Sequence, residues 1–188
     1  MKHLPDLVHA LIIRFFNWSL HTGFIPRRWK QSHIYPIPKP KPFNLDLNNV
    51  RPIALLDVFR KGFTKLITER LSRKLSDLKI LKGLNFCGLK GEDTSAPIQL
   101  INGLFEDALE NNKELYFVTQ DMKKAYDSVS LESLRLALRR IEVPETLTNW
   151  IIELFNKRQM RVITDYGLSP FFMAGDGLDQ GDSISPLM

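Results

Sequence analysis

The run LYFVT at residues 115–119 is the tightest constraint in this sequence. Its aromatic and β-branched residues favour a buried, pleated strand, and the strand would deliver Asp121 at its end. Helical periods flank it. On the N-terminal side Leu100, Ile101, Leu104, Phe105, Ala108 and Leu109 recur on one helical stripe between residues 93 and 111. On the C-terminal side Ser130 can cap a helix that runs to about residue 141. A buried strand set between amphipathic helices implies a mixed α/β (α+β) fold. The chain has 188 residues, 44% apolar and 25% charged, which suits one domain with a real core rather than wholesale disorder.

The rest of the chain supplies more elements of both kinds. Residues 4–20 are apolar on a helical period, and Gly23 and Pro26 end that helix. Residues 27–50 are rich in proline and basic residues and read as a loop or arm, with at most a short strand at 33–37. Residues 51–56 form a short strand or extended lead-in. A helix over 58–75 puts Phe59, Phe63, Leu66, Ile67 and Leu71 on its apolar side. Arg60, Lys61, Lys65, Arg70, Arg73 and Lys74 fall on the other. That basic side can follow a phosphate backbone or simply face solvent. Pro97 requires the helix beginning near residue 93 to hold it in the first turn. Pro144 opens another helix, to about residue 156. A hairpin follows, from a strand at 160–164 through a turn at 165–167 to a partner near 171–174. The last segment, GDGLDQGDSISPLM, is a glycine- and aspartate-rich loop.

Charge and cysteine content narrow the function classes. Lys and Arg total 26 against 21 acidic residues, a net charge of +5 that suits a polyanionic partner. Cys87 is the single cysteine, so an internal disulfide and a cysteine metal cluster are both excluded. Cys87 reads as a small buried hydrophobe. No apolar window is long enough for a membrane span, and the first residues lack the pattern of a secretory leader. The chain is expected not to be secreted; nucleus and cytoplasm both remain open, as does the oligomeric state.

The carboxylate at the end of the central run is the residue with most chemical potential. A carboxylate fixed by a strand and open to solvent can bind magnesium, which prefers carboxylate and phosphate oxygens. Two-metal phosphoryl transfer needs further carboxylates from another strand. Asp121 can equally be an ordinary turn aspartate, and Asp127 can cap a helix or hold a loop.

Four motifs, in order, resemble the reverse transcriptases of non-LTR retrotransposons and group II introns. DMKKAYDSV at 121–129 is similar to that family's first palm motif. The resemblance implies that Asp121 is the catalytic metal ligand, that Tyr126 lies under the sugar of an incoming nucleotide, and that Asp127 supports them. GLDQGDSISPLM at 177–188 resembles the Q-G-x-x-x-S-P motif, with Gln180 and Gly181 as nucleotide contacts and Ser185 and Pro186 as supports. Asp179 and Asp182 depart from some members and put acid where phosphate is expected. The segments beginning at Trp29 and at Arg51 (RPIALLDVFRK) resemble the fingers, with Lys39 and Arg51 as candidates for the triphosphate and Lys61 for the template side. GLNFCGLKGEDTSAPIQLI resembles, in outline, a template and primer contact segment. Gly88, Gly91 and Thr94 fit, and Lys90 is a candidate phosphate contact.

The resemblance implies a right-hand polymerase: residues 1–112 mainly fingers with an N-terminal helix, residues 113–188 a partial palm, its antiparallel sheet backed by helices. It implies RNA-directed DNA synthesis with magnesium, or manganese in its place. The partners would be an RNA template, a DNA primer or RNA–DNA hybrid, and deoxynucleoside triphosphates. The paired-aspartate hairpin of this family is not among these residues, so the 188 residues alone are expected not to polymerise. Two alternatives stand beside this reading: a non-catalytic nucleic-acid-binding remnant, and a structural or interaction fragment that binds no nucleic acid.

Overall fold

The computed structural model of the chain describes residues 4–40, 46–81, 86–89, 91 and 93–188. Helix α1 (Asp6–Thr22) ends at Gly23, whose left-handed φ of 72° is a conformation that glycine adopts without strain. A 3-10 turn (Arg27–Lys30) leads into strand β1 (Gln31–Pro38). A second 3-10 turn (Leu47–Asn49) precedes β2 (Val50–Leu55), and α2 spans Val58–Asp77. Then come α3 (Ser95–Glu110), α4 (Leu131–Arg140) and α5 (Glu145–Phe155). Strands β3 (Gln159–Thr164), β4 (Gly167–Leu168) and β5 (Phe172–Met173) complete the order.

The five strands form one mixed sheet in the order β2-β1-β3-β4, with β5 also paired to β3. β1 is antiparallel to β2 and parallel to β3. This differs from two expectations. The sheet is not purely antiparallel, and residues 31–38 are an inner strand rather than an arm. The prolines are accommodated by position. Pairing of β1 with β3 stops at Ile34, so Pro36 and Pro38 face only β2. Pro36 stands opposite Pro52, which places two missing N–H donors on the same rung.

The core is built from α5 outward. Ile151, Leu154 and Phe155 are fully buried, and Trp150 nearly so. Phe63 of α2 stacks on Phe16 of α1 at 4.5 Å and meets Trp150 edge-on at 4.9 Å. Trp29 joins the same group, 5.4 Å from Phe63. The Trp150 indole N–H donates to Ser19 Oγ at 3.2 Å, which satisfies its polar edge. The cap expected at Ser130 forms, and Asp57 caps α2 as well. Asp57 Oδ1 accepts from the backbone of Phe59 and Arg60, and Ser130 Oγ accepts from Ser133 N–H. The predicted hairpin forms, with Met160 opposite Phe172 and Ile163 opposite Leu168.

The central run is the main departure. Residues 113–122 contain no strand, and Tyr116 and Val118 are 85% and 89% exposed. Strand propensity is realised only against a neighbouring strand, and among the described residues none pairs with this run. Its contact is with α3, where Phe117 meets Phe105 edge-on at 5.7 Å. Helix α3 has the predicted stripe, with Pro97 in its first turn, but no buried residue. Cys87 is exposed rather than buried.

Candidate nucleotide and metal site

Two chain segments that are far apart in sequence face each other across an open cavity of about 700 Å³. One wall is the far end of the β1–β2 pair. Lys39 follows β1, and Arg51 lies in β2 opposite Ile37. The Lys39 backbone N–H donates to Asn49 O at 2.8 Å, and its Nζ donates to Asn48 O at 2.8 Å. Asp46 Oδ1 accepts from Asn48 N–H and so holds the turn that bears those carbonyls. Arg51 is exposed and makes no ion pair among the described residues. Its guanidinium is free to meet a ligand.

The opposite wall is residues 121–127, followed by Gln180. Lys124 adopts a left-handed φ of 54°, costly for a residue with a Cβ, and its carbonyl accepts from both Ser128 N–H and Ser128 Oγ. This tight turn stands where the sequence predicted a strand end. Asp121 therefore reaches the cavity from an exposed loop, not from a rigid strand. Asp121 and Asp127 are exposed, and neither carboxylate is engaged by another described residue. Tyr126 is half-buried and packs against the main core.

The turn carrying Gln180 is held from both sides. Gly177 N–H donates to Val129 O at 2.8 Å, and Leu178 N–H donates to Tyr126 O at 2.9 Å. Ala54 N–H of β2 donates to Gln180 O at 2.8 Å. Two glycines make this closeness possible. A Cβ on Gly177, at φ +96°, would lie 2.9 Å from the Asp127 backbone; one on Gly181, at φ +118°, would lie 3.0 Å from Ala54 O.

Lys39, Arg51, Asp121, Tyr126, Asp127 and Gln180 thus share one cavity. The other candidates among the described residues do not line it. Gly181 supports the turn beside it. Ser185 is buried, its hydroxyl donating to Asp179 O at 2.8 Å. Pro186 is exposed, and its carbonyl lies 3.0 Å from where a Cβ on Gly88 would stand. Lys61 is exposed on α2, away from the cavity lining, and Lys90 lies outside the described residues. Lys123 and Lys124 line the cavity and were not singled out from sequence. The signal was their position directly after Asp121 in DMKK.

Four basic side chains therefore meet two carboxylates around the cavity, an excess of positive charge suited to a polyphosphate. A carboxylate with no partner among the described residues, facing a phosphate-sized space, also suits magnesium, which is held by one or two carboxylates together with substrate phosphates. Among the described residues no cluster of three or more His, Cys, Asp or Glu could hold a metal by itself. A single ion shared with a ligand fits Asp121; a full two-metal set does not follow from these residues.

Arg60 departs from its place in the sequence pattern. The expected helix puts it on the basic side of α2, open to phosphate or solvent, yet it is fully buried. Its Nε donates to Asp182 Oδ2 at 3.0 Å, its Nη2 to Asp179 Oδ2 at 2.5 Å, and its Nη1 to Trp29 O at 2.6 Å. Arg158 donates to the other oxygen of Asp179 and to Gly177 O at 2.8 Å. Asp179 and Asp182 are consequently turned away from the cavity, and the acid expected near phosphate is neutralised inside the protein. The helical period carried the signal: Arg60, Phe63, Thr64, Ile67 and Leu71 lie on one stripe.

Comparison with known proteins agrees with these motifs. The chain is 29% identical over 182 residues to a retrovirus-related Pol polyprotein from the type-1 retrotransposable element R2 of Nasonia vitripennis, covering 96% of this chain and 17% of that one. It is 25% identical over 190 residues to a probable RNA-directed DNA polymerase from transposon BS of Drosophila melanogaster, covering 100% and 21%. It is 23% identical over 188 residues to the RNA-directed DNA polymerase from the mobile element jockey of Drosophila funebris, covering 100% and 20%. The chain spans about a fifth of the length of these curated relatives. Residues 37–188 match the family described as reverse transcriptase (RNA-dependent DNA polymerase), which includes every cavity residue named above, and the chain belongs to that family.

Proposed function

We propose that the cavity between β2 and residues 121–127 receives the triphosphate and sugar of a deoxynucleotide, as part of an RNA-directed DNA polymerase of a retrotransposon-like element. The observation that supports this reading most is the convergence of Lys39, Arg51, Asp121, Tyr126 and Gln180 on one cavity from three separate stretches of chain. In this assignment Lys39 and Arg51 neutralise the phosphates, Tyr126 packs against the sugar, and Gln180 orients the base-bearing end. Asp121 would hold magnesium, which supplies charge stabilisation at the phosphates when bound. The chain's own residues position the nucleotide and exclude a mismatched sugar.

Residues 1–112 would then serve mainly as fingers and residues 113–188 as part of the palm. An RNA template and a DNA primer would approach over the basic surface of α2, in a salt-dependent and largely sequence-independent way. Asp121 and Asp127 do not make a two-metal centre, so the 188 residues by themselves are expected not to extend a primer.

Equilibrium binding of a fluorescent deoxynucleoside triphosphate, with and without magnesium, tests the assignment. The wild-type chain should bind more tightly with magnesium, and Asp121→Asn should remove that gain. Lys39→Ala and Arg51→Ala should each weaken binding about tenfold, the worth of one charge-assisted phosphate contact. Affinity indifferent to magnesium and to all three substitutions would leave a nucleic-acid-binding remnant as the better account.

A further inference from the structure

We infer that Arg60, Arg158, Asp179 and Asp182 act together as a positioning device for the Gln180–Gly181 turn. The inference rests on the nucleotide assignment just given and concerns how its Q-G contact is held in place. The two acids flank the turn directly. Their side chains go inward, 1% and 0% exposed, while Gln180 lines the cavity and Gly181 is exposed between them. The turn is therefore clamped at both ends, with its centre presented outward.

One guanidinium spans the clamp. Arg60 holds Asp182 through Nε and Asp179 through Nη2, and its remaining fork reaches the Trp29 carbonyl. Arg158 takes the second oxygen of Asp179, and its Nε donates to Phe155 O at 3.0 Å. Both guanidinium carbons lie 5.6 Å from the Phe155 ring centroid. Two positive and two negative groups cancel, and the hydrogen bonds satisfy the buried forks. A network of this kind is poor evidence for extra stability, because its desolvation is costly. Its geometric effect is specific: α2, the corner between α5 and β3, and β2 all meet at one turn. Ala54 N–H closes the arrangement on Gln180 O at 2.8 Å. Neutralising one acid leaves buried arginine charge without its counter-ion, so the turn should loosen before the hydrophobic core does.

The test is amide hydrogen exchange and nucleotide affinity on the 188-residue chain, comparing wild type with Asp182→Asn. Exchange at Ala54 should accelerate about tenfold or more, as expected for loss of one charge-assisted buried hydrogen bond, while Ile151 in α5 keeps its protection. The dissociation constant for a fluorescent deoxynucleoside triphosphate with magnesium should rise by a similar factor. Arg158→Lys, which keeps the charge and loses the fork, is the second variant and serves if Asp182→Asn does not fold. It should show the same selective pattern. Unchanged exchange at Ala54, or equal acceleration at Ala54 and Ile151, would overturn the positioning role. So would a loosened turn with unchanged affinity. If the wild-type chain takes up no deoxynucleotide at all, the nucleotide assignment falls; selective loss of Ala54 protection would still establish the clamp on the turn.

Discussion

At the scale of single residues, space and backbone conformation decide what can change. Gly177 combines φ +96° with a would-be Cβ 2.9 Å from the Asp127 backbone. Gly177→Ala should cost about 2–4 kcal/mol, the sum of left-handed strain and overpacking. Gly103, inside α3, has nothing within 4 Å of a built Cβ. Gly103→Ala should stabilise by about 0.5–1 kcal/mol through helix propensity. Urea unfolding of the two variants reads both signs in one experiment. Tyr126 carries the chemical counterpart. If its ring crowds the sugar, Tyr126→Ala should narrow the preference for deoxynucleotides over ribonucleotides about tenfold or more, measured as the ratio of binding constants. An unchanged ratio would return Tyr126 to the role of a core aromatic.

At the scale of elements, the β1–β3 pairing sets a titration. His33 stands opposite Arg161 on adjacent parallel strands. Partial burial first, and the Arg161 charge second, lower its pKa from the usual 6.5. The unfolded chain therefore takes up this proton first as pH falls. The stability linked to His33 is fully present above about pH 6.5 and is lost as pH drops toward the lowered folded-state midpoint. NMR titration should place the His33 midpoint below 6.5. Arg161→Gln should raise it only part of the way, because burial is the larger cause. The elements also show how much was legible. The helices, the Ser130 cap and the 160–174 hairpin followed from period and turn residues, which are local signals. The strand through Pro36 and Pro38 was hidden because proline tolerance depends on which neighbour lies beside it. The LYFVT run misled for the same reason: residues 115–119 have the propensity, but no described strand pairs with them. Within the site, Lys39, Arg51, Asp121, Tyr126 and Gln180 were legible as motif positions. Arg158 was not, because its partners Asp179 and Gly177 are brought to it only by the fold.

At the scale of the whole molecule, residues of three sequence motifs line one cavity. Most of the described core gathers around α5, and the cavity lies at the far end of the β1–β2 pair, where residues 121–127 and the turn at 180 close against it. Net charge of +5 and four basic side chains at the cavity favour a polyanion at long and short range alike. Among the described residues no helix is long and apolar enough to cross a membrane. The measurement that bears most directly on the central claim is an NMR titration of amide shifts with a magnesium deoxynucleoside triphosphate. The account predicts perturbations confined to residues 39, 48–52, 121–127 and 180–181. Perturbations that gather elsewhere, or none at concentrations that saturate a millimolar site, would contradict it.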